Sequence, residues 1–182
     1  SPKAKEVTMI LHYSTEGSIH VSDNLEDVLS QIGMNANDIA LAKSKVLRPA
    51  YPNDLYTPLP DRQTTFTCFP TNKIIGTTRS TPGQSVFDNV CFVPDSKRNS
   101  DKFKRCFDEL SRYGSLDSMR KSFAIQIDPV DVNYYTDSDE YFVERDGNHR
   151  ALTAMLIGAP YIKARVHNLE CFQSCPCFLS IP

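Results

Sequence analysis

Arg145-Asp146-Gly147-Asn148-His149-Arg150, followed at once by the apolar run Ala151 to Ile157, is the stretch of this chain best suited to chemistry. A glycine turn with polar and cationic neighbours, opening directly onto a helix, is suited to an anion. Backbone N–H groups and the positive end of the helix dipole point at the ligand, and a nearby arginine completes a phosphate cradle. The polar loop Gly76-Thr77-Thr78-Arg79-Ser80 has the glycine, hydroxyls and arginine of a second phosphate- or sugar-contacting segment. An ordinary surface loop has the same composition.

Hydrolysis of a phosphodiester or phosphoanhydride needs charge neutralisation, a positioned water and usually a metal held by carboxylates. Arg150 and Arg79 supply cations, and Glu144 and Asp146 flank the turn. If the preceding strand persists through Arg145, alternation puts both carboxylates on one face, where they would hold Mg²⁺ or act as acid and base. Otherwise Asp146 caps the helix and Glu144 is solvated. A second candidate is His167, Cys171, Cys175 and Cys177, four soft ligands that could surround zinc. The cluster lacks the paired Cys-x-x-Cys of strong zinc motifs, so reduced thiols or a local disulfide remain open. Cys68, Cys91 and Cys106 sit in apolar contexts and read as small core residues.

The elements that must position these residues follow from periodicity. Leu25, Val28, Leu29 and Ile32 predict a helix over 24–32, with Asp23 as N-cap and Gly33 as terminator. A second helix is expected over 37–47, with Ile39, Ala42 and Val46 on one face. Pro49, Pro52, Pro58 and Pro60 make a connector that cannot be helical, and it is expected to set residues 1–60 apart. Residues 64–69 read as a strand, 100–113 as an amphipathic helix stopped by Gly114, and 123–127 as an alternating strand ended by Pro129. Tyr141-Phe142-Val143 is a short strand leading to the turn. A helix over 148–157 follows, stopped by Gly158, and then a period-2 strand over 161–166.

At 182 residues, 40% hydrophobic and 23% charged, the chain suits one soluble mixed α/β domain with a small appendage. No apolar run is long enough to span a bilayer and no secretory h-region is recognisable, so a reduced, cytoplasmic protein without a membrane span is expected. The net charge of −2 conceals asymmetry. Residues 97–121 carry eight basic and four acidic side chains, whereas 128–146 carry seven acidic and one basic. These are either solvated faces around a core or a basic surface for a polyanion beside an acidic site.

The strand ending in Tyr141-Phe142-Val143, the turn Asp146 to Arg150, the Ala/Leu helix, Gly158-Ala159-Pro160 and the closing strand together resemble the ParB/sulfiredoxin superfamily. Pro70-Thr71-Asn72-Lys73-Ile74-Ile75-Gly76-Thr77 is similar to that family's opening strand and loop. The resemblance covers about residues 66–167. It implies a ParB/sulfiredoxin-like α/β fold over 61–170, with 1–60 as an N-terminal helical extension and 171–182 as a Cys-rich tail. It further implies a bound nucleotide triphosphate such as ATP. Gly147 would give close backbone approach, Asn148 and His149 would donate, and Arg150 would neutralise phosphate, with Thr77, Thr78 and Arg79 as further contacts.

Sulfiredoxins place their catalytic cysteine where this chain has Asn148, so their thiol chemistry is not expected. Chromosome-partition members carry a DNA-reading domain downstream, which the 32 residues after Arg150 do not accommodate. The free-serine kinases use a glutamate in the loop matching 76–80, and none is present. The chain is most similar to small stand-alone members, among them the Osa-type plasmid fertility inhibitors. That resemblance implies ATP hydrolysis and DNase activity with Mg²⁺ or a similar cation, Glu144, Asp146 and Arg150 as catalytic residues, and inhibition of conjugative transfer. The rival expectations are a nucleotide-responsive binding module, contacting a protein through residues 1–60, and an ATP-dependent kinase.

Overall fold

The computed structural model describes residues 12–13, 19–21, 25–59, 65–94 and 97–171. Among them the chain is a mixed α/β protein built on one large and one small sheet. The small antiparallel sheet joins β1 (His12–Tyr13), β2 (Ile19–Val21) and β6 (Phe92–Pro94). The large sheet has six strands: β3 (Tyr56–Pro58), β4 (Thr65–Pro70), β5 (Ile74–Thr77), β7 (Val130–Tyr135), β8 (Glu140–Val143) and β9 (Tyr161–Cys171). One edge of β9 pairs antiparallel with β4 along residues 161–166 and with β3 along 169–171. Its other edge runs parallel to β7, which lies antiparallel to β8, and β8 in turn runs parallel to β5.

Six helices accompany the sheets: α1 (Leu25–Gln31), α2 (Ala36–Ser44), α3 (Val86–Cys91), α4 (Lys97–Leu110), α5 (Leu116–Ile125) and α6 (Asn148–Ile157). Helix α6 is apolar on every side, and Ala151, Leu152, Ala154, Leu156 and Ile157 are all essentially inaccessible. A helix without a polar face must be enclosed. Accordingly α6 touches β5 and β7 as well as α2, α3, α4 and α5. Val130, Val132, Tyr141, Val143, Ile162, Ala164 and Val166 supply the sheet's side of that core. The alternate positions of β7 and β8 point to the opposite face. There Tyr135 and Phe142 join Ile75 in a second cluster with Tyr51 and Tyr56 packed on it.

Side-chain caps mark the starts of α2 and α5. Asn35 and Asp38 form a reciprocal capping box, with the Asp38 N–H donating to Asn35 Oδ1 at 2.9 Å and the Asn35 N–H to Asp38 Oδ2 at 3.3 Å. Ser115 caps α5 by accepting from the Ser118 N–H at 3.1 Å. Among the described residues, no helix is long and apolar enough to cross a membrane.

Several expectations differ from the structure. Residues 123–127 are not a strand. Met119 and Phe123, four residues apart, are the buried face of α5, while Ile125 and Ile127 are 74% and 92% exposed. The alternation of Phe123, Ile125 and Ile127 is therefore a coincidence of spacing. Helix α2 ends at Ser44, leaving Val46 exposed in an isolated bridge to Ser85. Cys68 is exposed rather than in the core, and its thiol donates to the Ala124 carbonyl at 3.3 Å. The Pro-rich connector does not divide the packing: Leu25, Leu29, Ile39, Ala42 and Leu47 lie in the same core cluster as α6. It holds a 3-10 turn at Asn53–Leu55 and the strand β3. Asp23, Pro60 and the tail 172–182 lie outside the described residues.

Gly76 shows how tightly the N-terminal section is joined to the sheet. A Cβ there would lie 2.1 Å from the Arg48 carbonyl oxygen, because the Arg48 N–H donates to the Ile75 carbonyl at 2.7 Å. Overpacking of this kind costs about 1–3 kcal/mol. Gly76→Ala is expected to lower the unfolding free energy by that amount, read as a lower urea midpoint with an unchanged m-value.

Candidate phosphate site at the start of helix α6

The connection from β8 to α6 is held against the central strand β7. The Glu144 N–H donates to the Asp131 carbonyl at 2.9 Å, and the Asp131 N–H to the Asp146 carbonyl at 3.0 Å. Between these two bonds the chain turns sharply, with Arg145 at φ 69° and Gly147 at φ 88°. A Cβ on Gly147 would lie 2.4 Å from Val130 Cγ1 and 2.9 Å from Val130 Cα. Only glycine combines that left-handed conformation with that approach. Ala151 makes the first intrahelical bond, to the Gly147 carbonyl at 2.9 Å. The N–H groups of Asn148, His149 and Arg150 thus belong to the open first turn.

The side chains of this turn have distinct roles. Asn148 is buried, accepting from the Thr78 hydroxyl at 2.8 Å and donating to the Arg145 carbonyl at 3.4 Å. His149 is also buried, edge-on to Phe103 with ring centroids 4.8 Å apart. Burial, with smaller repulsion from Lys102 and Arg79, pushes its imidazole down to about 4. It is neutral at pH 7. Arg150 donates to the Asp128 carbonyl and meets Asp146 Oδ2 at 3.4 Å. Asp146 Oδ1 also takes the Gly147 N–H at 2.8 Å, and its side chain is 78% exposed.

In the loop after β5, Thr77 is buried and turned inward. Its hydroxyl accepts from the N–H groups of Arg79 at 3.1 Å and Ser80 at 3.0 Å, so it shapes the loop. Thr78 braces Asn148, and Arg79 projects close enough to repel a charge on His149. The expected contacts Thr78, Arg79, Asn148, His149 and Arg150 are therefore brought together. Their arrangement presents backbone N–H groups and cations, while the Asn148 and His149 side chains are tucked in.

Helix α4 completes the site. Phe103, Phe107 and Leu110 face the core, which turns Lys102, Arg105, Cys106 and Glu109 toward a cleft of about 330 Å³ floored by Gly147 to Arg150. None of these four was nominated from sequence. The signal was their place beside a helical apolar stripe within the basic 97–121 segment.

The two candidate carboxylates part company. Strand β8 ends at Val143 and Arg145 is left-handed, so the alternation that would align Glu144 with Asp146 is broken. Glu144 accepts from Asn133, on the sheet face opposite α6. On that same face Asp131 Oδ1 lies 3.6 Å from His167 Nε2 and 3.8 Å from Arg165 Nε. Among the described residues no three of His, Cys, Asp and Glu gather to hold a metal ion. Cys171 ends β9 beside Tyr56, and Cys175 and Cys177 lie outside the described residues.

No protein-family model matches this chain, and no curated protein or solved structure matches it.

The buried imidazole has a pH signature. Its folded value lies below the ordinary 6.5, so below pH 6.5 the unfolded chain binds more protons and stability falls. The loss accumulates between pH 6.5 and about 4. Urea midpoints measured across that range are expected to decline less steeply in His149→Gln than in the parent.

Proposed function

We propose that the start of α6 binds the phosphate groups of a nucleotide, and that the chain is a nucleotide-binding protein of the ParB/sulfiredoxin kind. The supporting observation is the cleft over the first helical turn, opened by the left-handed Gly147 beside β7, where Lys102, Arg105 and Arg150 stand among Glu109, Asp128 and Asp146 and Arg79 lies near His149. N–H groups at the positive end of a ten-residue helix attract an anion, and the surrounding cations neutralise it. The neutral His149 helps by leaving the pocket wall uncharged, so that the cations act in a partly desolvated setting. Thr78 and Asn148 keep the turn in shape, and a polyphosphate competes with Asp146 for Arg150.

ATP hydrolysis and DNA cleavage are the enzymatic form of this proposal. For this form we assign the water-orienting role to Asp146, which is exposed at the rim of the cleft beside Arg150 and the Gly147 N–H. Glu144, held by Asn133 across the sheet, has no part in it. One carboxylate with substrate phosphates is a common way of holding Mg²⁺. The site fits that use, with Asp146 as the protein's ligand, better than it fits a dedicated metal cage.

Charged hydrogen bonds contribute about 1.5–3 kcal/mol each. Lys102→Ala and Arg150→Ala are therefore each expected to weaken ATP binding by about tenfold or more in calorimetric titrations. No binding of ATP to the parent chain would overturn the site. With Mg²⁺ present, phosphate release or plasmid nicking that disappears in Asp146→Asn supports the hydrolase. Binding without turnover instead supports the nucleotide-responsive module. A third readout is the imidazole of His149. Tripolyphosphate offsets the repulsion from Lys102 and Arg79, so the pKa seen by NMR is expected to rise from about 4 while burial keeps it below 6.5.

A further inference from the structure

The cleft above α6 does not stop at Arg150. Cys106, Glu109 and Arg150 also line a second cleft, of about 280 Å³, between α4 and α5. The two clefts adjoin at these shared residues and form two ends that differ in the rest of their lining. The first end holds Lys102, Arg105 and the first turn of α6. The second has an apolar floor of Leu110 and Phe123, both 5% exposed, and a half-exposed aromatic wall, Tyr113. Gln126 stands at its margin, donating to the Lys163 carbonyl at 3.5 Å and leaving its amide oxygen as an acceptor.

Arg112, Ser122 and Arg150 also line the second end, so what sets it apart from a plain phosphate site is its apolar floor and aromatic wall. A flat, apolar-faced ring with polar edges suits it: the faces meet Tyr113 and Phe123, and the edge meets Gln126. Glu109, at the junction, is unfavourable for phosphate but accepts hydrogen bonds from hydroxyls, which is how an acidic side chain commonly holds a ribose. Cys106 lies beneath the same junction. Burial pushes its thiol up to about 11, so it is a neutral wall and not a nucleophile.

Resting on the phosphate site above, we infer that the ligand is an intact nucleotide whose base occupies the α4–α5 cleft and whose sugar lies at Glu109. The groove thereby selects nucleotides over bare polyphosphate, and Tyr113 and Gln126 are its specificity residues. Calorimetric titration of the full chain with ATP and with inorganic tripolyphosphate tests this. ATP is expected to bind at least tenfold tighter, since base stacking on one aromatic ring contributes on that order. Tyr113→Ala is expected to abolish that advantage and leave tripolyphosphate affinity unchanged, and the retained tripolyphosphate binding shows that the variant is folded. Equal affinities in the parent, or an unchanged ATP affinity in Tyr113→Ala, would overturn the base site while the phosphate site stands. If neither ligand binds, both fall.

Discussion

The constraint on which the core depends is the contact between Gly147 and Val130. It brings the start of α6 to within van der Waals range of the Cα of the central strand, a distance that no side chain at position 147 allows. Most of the remaining core is arranged around that docking. With its first turn fixed on β7, α6 lies across the Val130 and Val132 face, and four other helices close over it. The same contact decides which end of α6 is open. The Gly158 end leads straight into β9, whereas the Gly147 end has its N–H groups unclaimed by earlier helix turns.

Around this fixed turn the charges are ordered by burial. Asn148 and His149 are enclosed and neutral, held by Thr78 and Phe103, while Arg79, Lys102, Arg105 and Arg150 surround them at greater exposure. With Glu109, Asp128 and Asp146 at the same cleft, the charged groups of both signs stay in the outer layer and no like charges are confined in the low-dielectric interior. The arrangement also separates the two carboxylates near the turn. Asp146 stays with the arginine at the rim, and Glu144 joins the polar residues on the far side of the sheet.

The parts of this fold legible in the sequence were those with punctuation. Helix α6 lies between two glycines that both adopt positive φ, and β9 alternates over residues 161–166, so both could be placed from residue types. Strand β7 could not. Of its second face only Tyr135 is hydrophobic; Asn133 donates to Glu144 and Asp131 lies beside His167, so the sequence shows acidic residues where the centre of the sheet runs. In α5 the capping Ser115 and the Met119–Phe123 spacing carried the correct signal, but the exposed Ile125 and Ile127 imitated a strand. The site was half legible for a related reason. The turn is contiguous in sequence, whereas Lys102, Arg105 and Glu109 reach it from a distant upstream helix and only tertiary packing brings them there.

Strand β9 pairs with β3, β4 and β7, and every one of these precedes it in the chain. During synthesis, therefore, residues 56–58, 65–70 and 130–135 emerge with their hydrogen-bonding edges unmatched, and the sheet cannot close until residues 161–171 have been made. The interval covers about a hundred residues and ends in a parallel pairing, which forms slowly because the intervening loop must first be ordered. Nascent chains that stall before β9 expose the unfilled edge of β7 and leave β3 and β4 without their partner strand. That state has the features that favour aggregation and chaperone capture.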